Sequence, residues 1–331
     1  MWSDFPSQSL KEKLRIYWDE RMRHIFIINP AAGKVNRAEE LKAKIEALGL
    51  PENECKIYIT RAPYDAREIA EKEAESGEET RIYASGGDGT ANEVLSGIVG
   101  YKNCALGIIP IGSGNDFVRA FSDYTRDDFL DIERMVKGKE SLIDLVECGG
   151  RYSMNIVTVG FDCAVACNVE RFKRIPLVSG SLAYKMSILY CLFTKRRHNV
   201  HIWVDDKPFE ASFEKTTLLS LGANGNYYGG GIKAAPLAVF DDGYMDFVHA
   251  ETISVPKFIS LLGKYIKGEH VNNPKLPFVR FMRCKKLRYE SEGLLDVNLD
   301  GEIISMKNPE MKLIEKAVRV ILPAKNKEAA L

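Results

Sequence analysis

Short apolar runs alternate with stretches of helical period through the first 121 residues. His24–Ile28, Arg81–Ala84 and Leu106–Ile111 read as strands buried on both faces, and Glu54–Thr60 as a fourth. Between them lie helical stretches. One is Ala38–Leu48, closing on Gly49 as a C′ glycine; another runs from Asp65, as N-cap, to Ser76. A third spans Ala91–Val99, and a short one runs through Phe121. Thr90 and Glu93 have capping-box spacing, which starts the third helix at a glycine-rich turn. Repeated β-α alternation predicts a parallel sheet covered by helices, with ligands bound at the C-terminal ends of its strands.

The pattern changes after about residue 144. Arg151–Val159, Val200–Asp205, Phe209–Phe213, Thr216–Ala223, Asp246–Glu251, Phe278–Tyr289, Leu294–Leu299 and Val318–Leu322 read as strands. Asp205-Asp206 and Asp300-Gly301 mark tight turns. These predict a second, mostly antiparallel β domain with helical excursions at Gly180–Phe193 and Val255–Ile266. The join falls near Lys137–Asp144, giving an α/β domain over 24–144 and a β-rich one over 145–304. Residues 1–23 read as a polar helical extension, with its helix over Ser9–Met22 and Trp2 and Trp18 to dock it.

Three small-residue loops fall at one sheet edge: Asn29–Lys34, Ser85–Thr90 and Gly112–Asp116. Glycines let backbone approach a ligand closely, and a helix N-terminus turns its free N–H groups toward phosphate. Asp88, inside the second loop, repels a bare phosphate. It makes sense beside Mg²⁺ or beside a hydroxyl that must lose a proton. None of the loops is a Walker A, since Gly33-Lys34 is followed by Val35, and no G-x-G-x-x-G follows a strand.

Composition adds exclusions. The 331 residues carry 46 Lys+Arg against 46 Asp+Glu, so no global field argues for nucleic acid. Seven scattered cysteines, with no second pair to match Cys163 and Cys167 and no nearby His, suit reduced thiols rather than a zinc site. The charged N-terminus is no signal peptide, and no apolar stretch approaches the ~20 residues of a membrane span. Such a chain is expected in the cytoplasm, meeting a membrane only from the side.

Taken together, Asn29-Pro30-Ala31-Ala32-Gly33, Gly86-Gly87-Asp88-Gly89-Thr90 with Asn92-Glu93, and Pro110-Ile111-Gly112-Ser113-Gly114-Asn115-Asp116-Phe117-Val118-Arg119 form one series. Gly229-Gly230-Gly231, Asp241-Asp242-Gly243-Tyr244-Met245-Asp246 and Asp300-Gly301-Glu302 continue it. In that order the chain resembles the diacylglycerol kinase catalytic family, which includes sphingosine and ceramide kinases and bacterial soluble lipid kinases. The resemblance runs from residue 24 to about 322. It implies an NAD-kinase-like α/β nucleotide domain joined to a β-sandwich-like domain, with the active site in the cleft. It also implies that the segment 305–331 returns to the first domain.

The resemblance implies ATP across the first domain. Asn29, Pro30, Ala31, Ala32 and Gly33 contact the nucleotide, Thr60 and Ser113 add hydroxyls, and Gly87, Asp88, Gly89, Thr90, Ala91, Asn92 and Glu93 cradle phosphates. Asn115 and Asp116 go with the substrate. Glu302 matches the general base of bacterial members and Asp300 is its rival, while Asp88 matches the base of sphingosine kinases. A structural Mg²⁺ is implied at Asp242 with the carbonyls of Val239 and Tyr244, supported by Asp246.

The implied reaction is ATP- and Mg²⁺-dependent phosphorylation of a lipid hydroxyl, with diacylglycerol giving phosphatidic acid. A sphingoid base, ceramide or another lipid alcohol is the alternative. NAD-kinase-like chemistry and a non-catalytic nucleotide-binding regulator are further rivals. A homodimer is compatible with the family. The basic-apolar stretch Arg171–Val178 and Lys195–His198 are candidates for peripheral contact with the inner face of a membrane, against the plainer reading of solvated loop and helix end.

Overall fold

The computed structural model of the chain describes residues 22–175 and 180–325. The helix expected at the N-terminus, with Trp2 and Trp18, lies outside them, as does part of the 171–178 stretch.

The first layer is built as the apolar runs predict. Strands β1 (Arg23–Ile28), β2 (Cys55–Ile59), β3 (Thr80–Gly86) and β4 (Cys104–Pro110) are parallel in the order β2-β1-β3-β4. Every residue of β1 and β4 is buried, which is why they read as continuous apolar runs. Helices α1 (Ala38–Ala47), α2 (Asp65–Ala74) and α3 (Asp88–Ile98) connect them. Gly49 takes φ 66° after α1, as a C′ glycine must. The strand order reverses between β1 and β3, and the loops after those two strands flank that crevice.

Short helices α4 (Asp116–Arg119), α5 (Arg126–Leu130) and α6 (Ile132–Val136) follow, then β5 (Lys139–Cys148) and β6 (Arg151–Ser153). β7 (Ile156–Gly160) opens the second sheet, and helices α7 (Phe161–Lys173) and α8 (Gly180–Thr194) follow it. The remaining elements are β8 (His201–Val204), β9 (Lys207–Pro208), α9 (Ala211–Glu214), β10 (Thr217–Ala223), β11 (Met245–Glu251), α10 (Val255–Ile266), β12 (Val279–Cys284), β13 (Lys286–Glu290), β14 (Leu295–Leu299), β15 (Glu302–Met306) and β16 (Glu310–Leu322).

The second sheet, β12-β11-β10-β7-β14-β15, is antiparallel throughout. It packs face to face on the far part of the first. Val146, Ile202, Leu287 and Met311 meet Val157, Met245, Phe247 and Val297 in one buried core. Strand β16 joins the halves. Arg319 and Val320 pair parallel with Ala105 and Leu106 of β4, while Met311 and Lys312 pair antiparallel with Leu287 and Lys286 of β13. β5 runs antiparallel to β16 along its length, with a register shift between Ile314 and Val318.

Several local expectations fail for non-local reasons. Residues 209–213 are no strand. α9 forms there, and the Ser212 hydroxyl accepts the Ile202 N–H at 2.9 Å. Arg151–Val159 is broken after Ser153, where Asp300 takes the backbone N–H groups of 154–156. Phe278–Tyr289 divides at Lys285 between the two sheets, with Asp205 Oδ1 accepting the N–H of both Lys285 and Lys286 at 2.9 Å. Helix α7 stands where no element was expected. The capping box does not form either. α3 begins at Asp88 with Gly87 as N-cap, so Thr90 lies inside the first turn.

Candidate active site

The three expected loops meet at the strand ends of the first sheet. Asn29 Nδ2 donates to Thr90 Oγ1 at 3.0 Å across the β1–β3 crevice, and Asn29 Oδ1 accepts the Ala31 N–H at 3.0 Å. Thr90, freed from capping, therefore fixes the first loop to the second. Gly33 has φ 83°, and a Cβ there would lie 2.6 Å from the Ile111 carbonyl oxygen, so the first loop also rests on the third. The Gly112 N–H donates to Gly86 O at 2.9 Å. Thr60 is buried at the end of β2, and Ser113 is exposed on the third loop. The first-turn N–H groups of α3, with no carbonyl four residues back, face this edge beside Pro30, Ala32, Gly87, Gly89 and Ala91.

Asp88 and Asp116 are joined. The Asp116 N–H donates to Asp88 Oδ1 at 2.8 Å, and Asp116 Oδ2 accepts the Gly230 N–H at 2.8 Å. A Cβ at Gly114 would sit 2.5 Å from Asp88 Oδ2, so any larger residue there would displace the Asp88 carboxylate. Asp116 Oδ1 is buried and accepts no hydrogen bond, with Arg119 Nε 3.7 Å away, and burial raises the Asp116 carboxyl above its ordinary range. Asn115 adopts φ 55° and donates to Gly112 O at 2.7 Å. It shapes the turn that delivers Asp116.

Asp88, Asp116, Asp162 and Asp300 line one cleft cavity of about 240 Å³ between the two halves, with Asn155, Asn298, Tyr228 and Gly230. No Lys or Arg lines it.

The structure separates the two carboxylates of the Asp300-Gly301-Glu302 turn. Asp300 Oδ2 accepts Met154 N–H at 2.8 Å, Oδ1 accepts Ile156 N–H at 2.9 Å, and Asn155 N–H reaches both at 3.3 Å. Removal from water pushes the Asp300 carboxyl up to about 6 against those donors. Glu302 lies off this cavity. It lines a neighbouring depression with Asn92 and Glu93, and its Oε2 pairs with Arg151 Nη1 at 2.8 Å. Its side chain keeps 32% of its surface in solvent.

The loop expected to hold Mg²⁺ is a tight turn. Asp144 Oδ2 accepts the Gly243 N–H at 2.8 Å, and Asp242 Oδ1 accepts the Tyr244 N–H at 3.1 Å. Asp246 is buried, and its Oδ2 finds no partner. Arg283 stands 3.2 Å from Asp242 Oδ2 and 3.5 Å from Asp246 Oδ1. Two carboxylates, one with an orphaned oxygen, beside the exposed residues Val239 and Tyr244 offer the hard oxygen donors that Mg²⁺ takes. Arg283 shares the site. Among the described residues, no group of three or more His, Cys, Asp and Glu side chains could hold a metal by itself.

Sequence reading passed over Asp162 and Tyr228. Behind the cleft lies an apolar cavity of about 200 Å³, walled by Phe161, Val165, Leu219, Val248, Phe258, Leu262 and Tyr265 among others. Asp162 and Tyr228 line both cavities. Asp162 accepts from Thr158 Oγ1 at 2.8 Å and Asn298 Nδ2 at 3.0 Å, and burial raises its carboxyl. The signal was present in the chain: an apolar run, Ile156–Val159, then Gly160, then an Asp, as in the other loops.

A family model of the diacylglycerol kinase catalytic domain matches residues 23–148. A model of the YegS C-terminal NAD kinase β sandwich-like domain matches 155–322. The chain is 29% identical to a diacylglycerol kinase of Bacillus subtilis over 303 residues, covering 91% of this chain and 97% of the other. It is 30% identical to one of Staphylococcus saprophyticus, covering 85% and 89%. A crystal structure of a diacylglycerol kinase from Bacillus anthracis superposes with a TM-score of 0.68 at 21% identity, over 90% of this chain and 96% of that one.

Proposed function

The chain belongs to the diacylglycerol kinase catalytic-domain family, and on that footing we propose that it transfers the γ-phosphate of ATP to the free hydroxyl of diacylglycerol, giving phosphatidic acid. One observation carries this reading: a polar cleft beside Asp88 shares two lining residues, Asp162 and Tyr228, with an adjoining apolar cavity. A lipid alcohol has that polarity profile, with a hydroxyl at one end and hydrocarbon behind it.

ATP fits the loop edge through Asn29–Gly33, Thr60, Gly87–Glu93 and Ser113. Small residues permit close approach, and the α3 N-terminus complements phosphate charge. Four carboxylates without a lysine or arginine in the lining would repel a naked triphosphate, which supports entry of the nucleotide with Mg²⁺. Asp88 and Asp116 would hold that ion, the phosphates supplying its remaining ligands. Bound there, Mg²⁺ neutralises the phosphate charge during transfer. A second ion at Asp242, with the Val239 and Tyr244 carbonyls, would stiffen the loop that Asp144 ties to the core.

Glu302 is the better proton acceptor of its turn. Both oxygens of Asp300 are occupied by backbone N–H groups, whereas Glu302 has one ion pair and solvent access. Asp300 holds the turn, and Glu302 would have to leave Arg151 and swing out of its depression to reach a hydroxyl in the cleft. The domain limits 24–144 and 145–304, with Glu310–Leu322 returning to pair with β4, suit this division of labour.

Peripheral membrane contact follows from the apolar cavity and its surroundings. Ile175, Leu189, Phe193, Ile259 and Ile266 are exposed large apolar residues near and along α8 and α10. The stretches 171–198 and 255–267 contain Arg171, Arg174, Lys195, Arg196, Arg197, Lys257, Lys264 and Lys267 but no Asp or Glu. In a chain of zero net charge this is a local field suited to anionic lipid. Among the described residues no helix is long and apolar enough to cross a membrane.

The test is transfer from labelled ATP with Mg²⁺ into micellar diacylglycerol, sphingosine, ceramide and, separately, NAD. Label in diacylglycerol is the expected result. Label in another lipid would replace the acceptor, and label in NAD alone, or in nothing, would overturn the reading.

A further inference from the structure

The turn before β11 faces a cation of the chain's own. Asp246 and Arg283 stand directly opposite one another in the antiparallel pairing of β11 with β12, so sheet register brings the guanidinium to this turn. Its three nitrogens spread over the loop. Nη1 stands 3.2 Å from Asp242 Oδ2, Nε stands 3.5 Å from Asp246 Oδ1, and Nη2 donates to the Leu237 carbonyl at 3.5 Å. β12 is an edge strand of its sheet, and 44% of the Arg283 side chain is in solvent. All three contacts are long, so the guanidinium can leave them without disturbing the core.

The two carboxylates are bound to their places. Asp242 Oδ1 accepts the Tyr244 N–H, which leaves Oδ2 for a cation, and Arg283 takes it. Asp246 is buried, and its Oδ2 has no partner. A buried carboxylate is costly without a positive charge beside it. Lys285, two residues beyond Arg283, is paired with Glu315 instead.

We propose that Arg283 is a competitor that sets the Mg²⁺ affinity of this loop: the guanidinium and the ion claim the same two carboxylates, and metal binding releases Arg283 from Asp242 into solvent. This rests on the reading of the loop as a Mg²⁺ site. Without metal, Arg283 bridges the loop to β12. With metal, the ion takes over the charge on Asp242 and that bridge opens. A divalent ion near a guanidinium also meets like-charge repulsion, damped here by solvent. The loop therefore fills only at a higher Mg²⁺ concentration than its carboxylates alone would require.

The experiment titrates Mg²⁺ into the nucleotide-free protein, read by calorimetry and by the thermal midpoint. Asp242→Asn is the reference that separates the loop's share from any binding at Asp88 and Asp116. The Asp242-dependent affinity should rise about tenfold in Arg283→Met, the scale of one half-exposed charge acting on a divalent ion. Arg283→Gln should match it, and Arg283→Lys, which keeps the charge, should stay within about threefold of wild type. In metal-free buffer the Arg283→Met midpoint should lie below that of wild type, and Mg²⁺ should restore it. Equal Asp242-dependent affinity in wild type, Arg283→Met and Arg283→Gln overturns the proposal and leaves the Mg²⁺ site standing. Mg²⁺ binding that ignores Asp242→Asn in every one of these proteins overturns the metal reading of the loop itself.

Discussion

Asp116 Oδ2 accepts the backbone N–H of Gly230 at 2.8 Å, closing the cleft from the first domain onto a glycine loop of the second. The same residue's backbone N–H reaches Asp88, so one residue links the Ser85–Thr90 loop, the cleft and the Gly229–Gly231 loop. Asp116→Asn keeps an oxygen for Gly230, whereas Asp116→Ala keeps none. Alanine should cost about a hundredfold in kcat/KM and asparagine about tenfold or less. Steady-state kinetics on diacylglycerol checks this order. Equal losses would assign the effect to charge rather than to the link.

Asp88 sits on the first turn of α3 and faces the cleft. Asp88→Asn should lower kcat by about a thousandfold, the scale of removing a charged group aimed at phosphoryl transfer. Nucleotide binding by calorimetry should survive in part, since the backbone of the loops is unchanged.

The Asp300-Gly301-Glu302 turn should separate stability from catalysis. Asp300→Ala leaves the N–H groups of 154–156 without their acceptor and should cost on the order of 3 kcal/mol in denaturant unfolding. Glu302→Gln should leave unfolding unchanged and reduce kcat about a hundredfold.

His249 is fully buried between Phe209 and Phe247, neither ring nitrogen has a partner, and burial with Arg280 lowers it to about 4. Its unfolded value is near 6.5. Between those values the unfolded chain takes up a proton that the folded chain refuses. The stability it contributes is present above pH 6.5 and is lost as pH falls toward 4. His249→Leu should remove on the order of 3 kcal/mol of that acid sensitivity, seen as a flatter midpoint against pH from 6.5 to 4. Asp300 acts oppositely, since its carboxyl is raised by burial to about 6. It favours the folded state at low pH and loses that contribution as pH rises through 6, so the comparison must be made between variants.

Exposed apolar and basic residues on the α8 side should mediate vesicle binding. Phe193→Glu should weaken association with anionic vesicles more than tenfold, and Arg196→Glu with Arg197→Glu about as much. Added salt should erase the arginine effect while sparing part of the phenylalanine effect. Sedimentation with phosphatidylglycerol vesicles against neutral ones reads this directly.

Local chemistry made much of the molecule legible in the chain. Buried strands β1 and β4 must be apolar along both faces, so they read as strands without a fold in hand. Glycine-rich loops at their ends announce close backbone approach. Asp300 and Gly301, with φ 48° and 103°, form the turn that an Asp-Gly pair favours. Family motifs then named half of the residues around the cleft: Asp88, Asp116, Gly229, Gly230, Asp300 and Gly301.

What stayed hidden depends on partners far away in sequence. Thr90 looked like a cap because its spacing to Glu93 is local, yet its hydroxyl is claimed by Asn29, 61 positions earlier. Residues 278–289 looked like one strand, yet Asp205 breaks it and sends its halves to different sheets. Asp300 and Glu302 are equivalent on paper. Three backbone N–H groups from 154–156 commit one to the turn, and Arg151 holds the other at a separate depression. Asp162 and Tyr228, 66 positions apart, line the same two cavities only because the chain folds back on itself. Periodicity and propensity describe one segment at a time, whereas hydrogen-bond competition and packing between segments choose among the arrangements each segment allows.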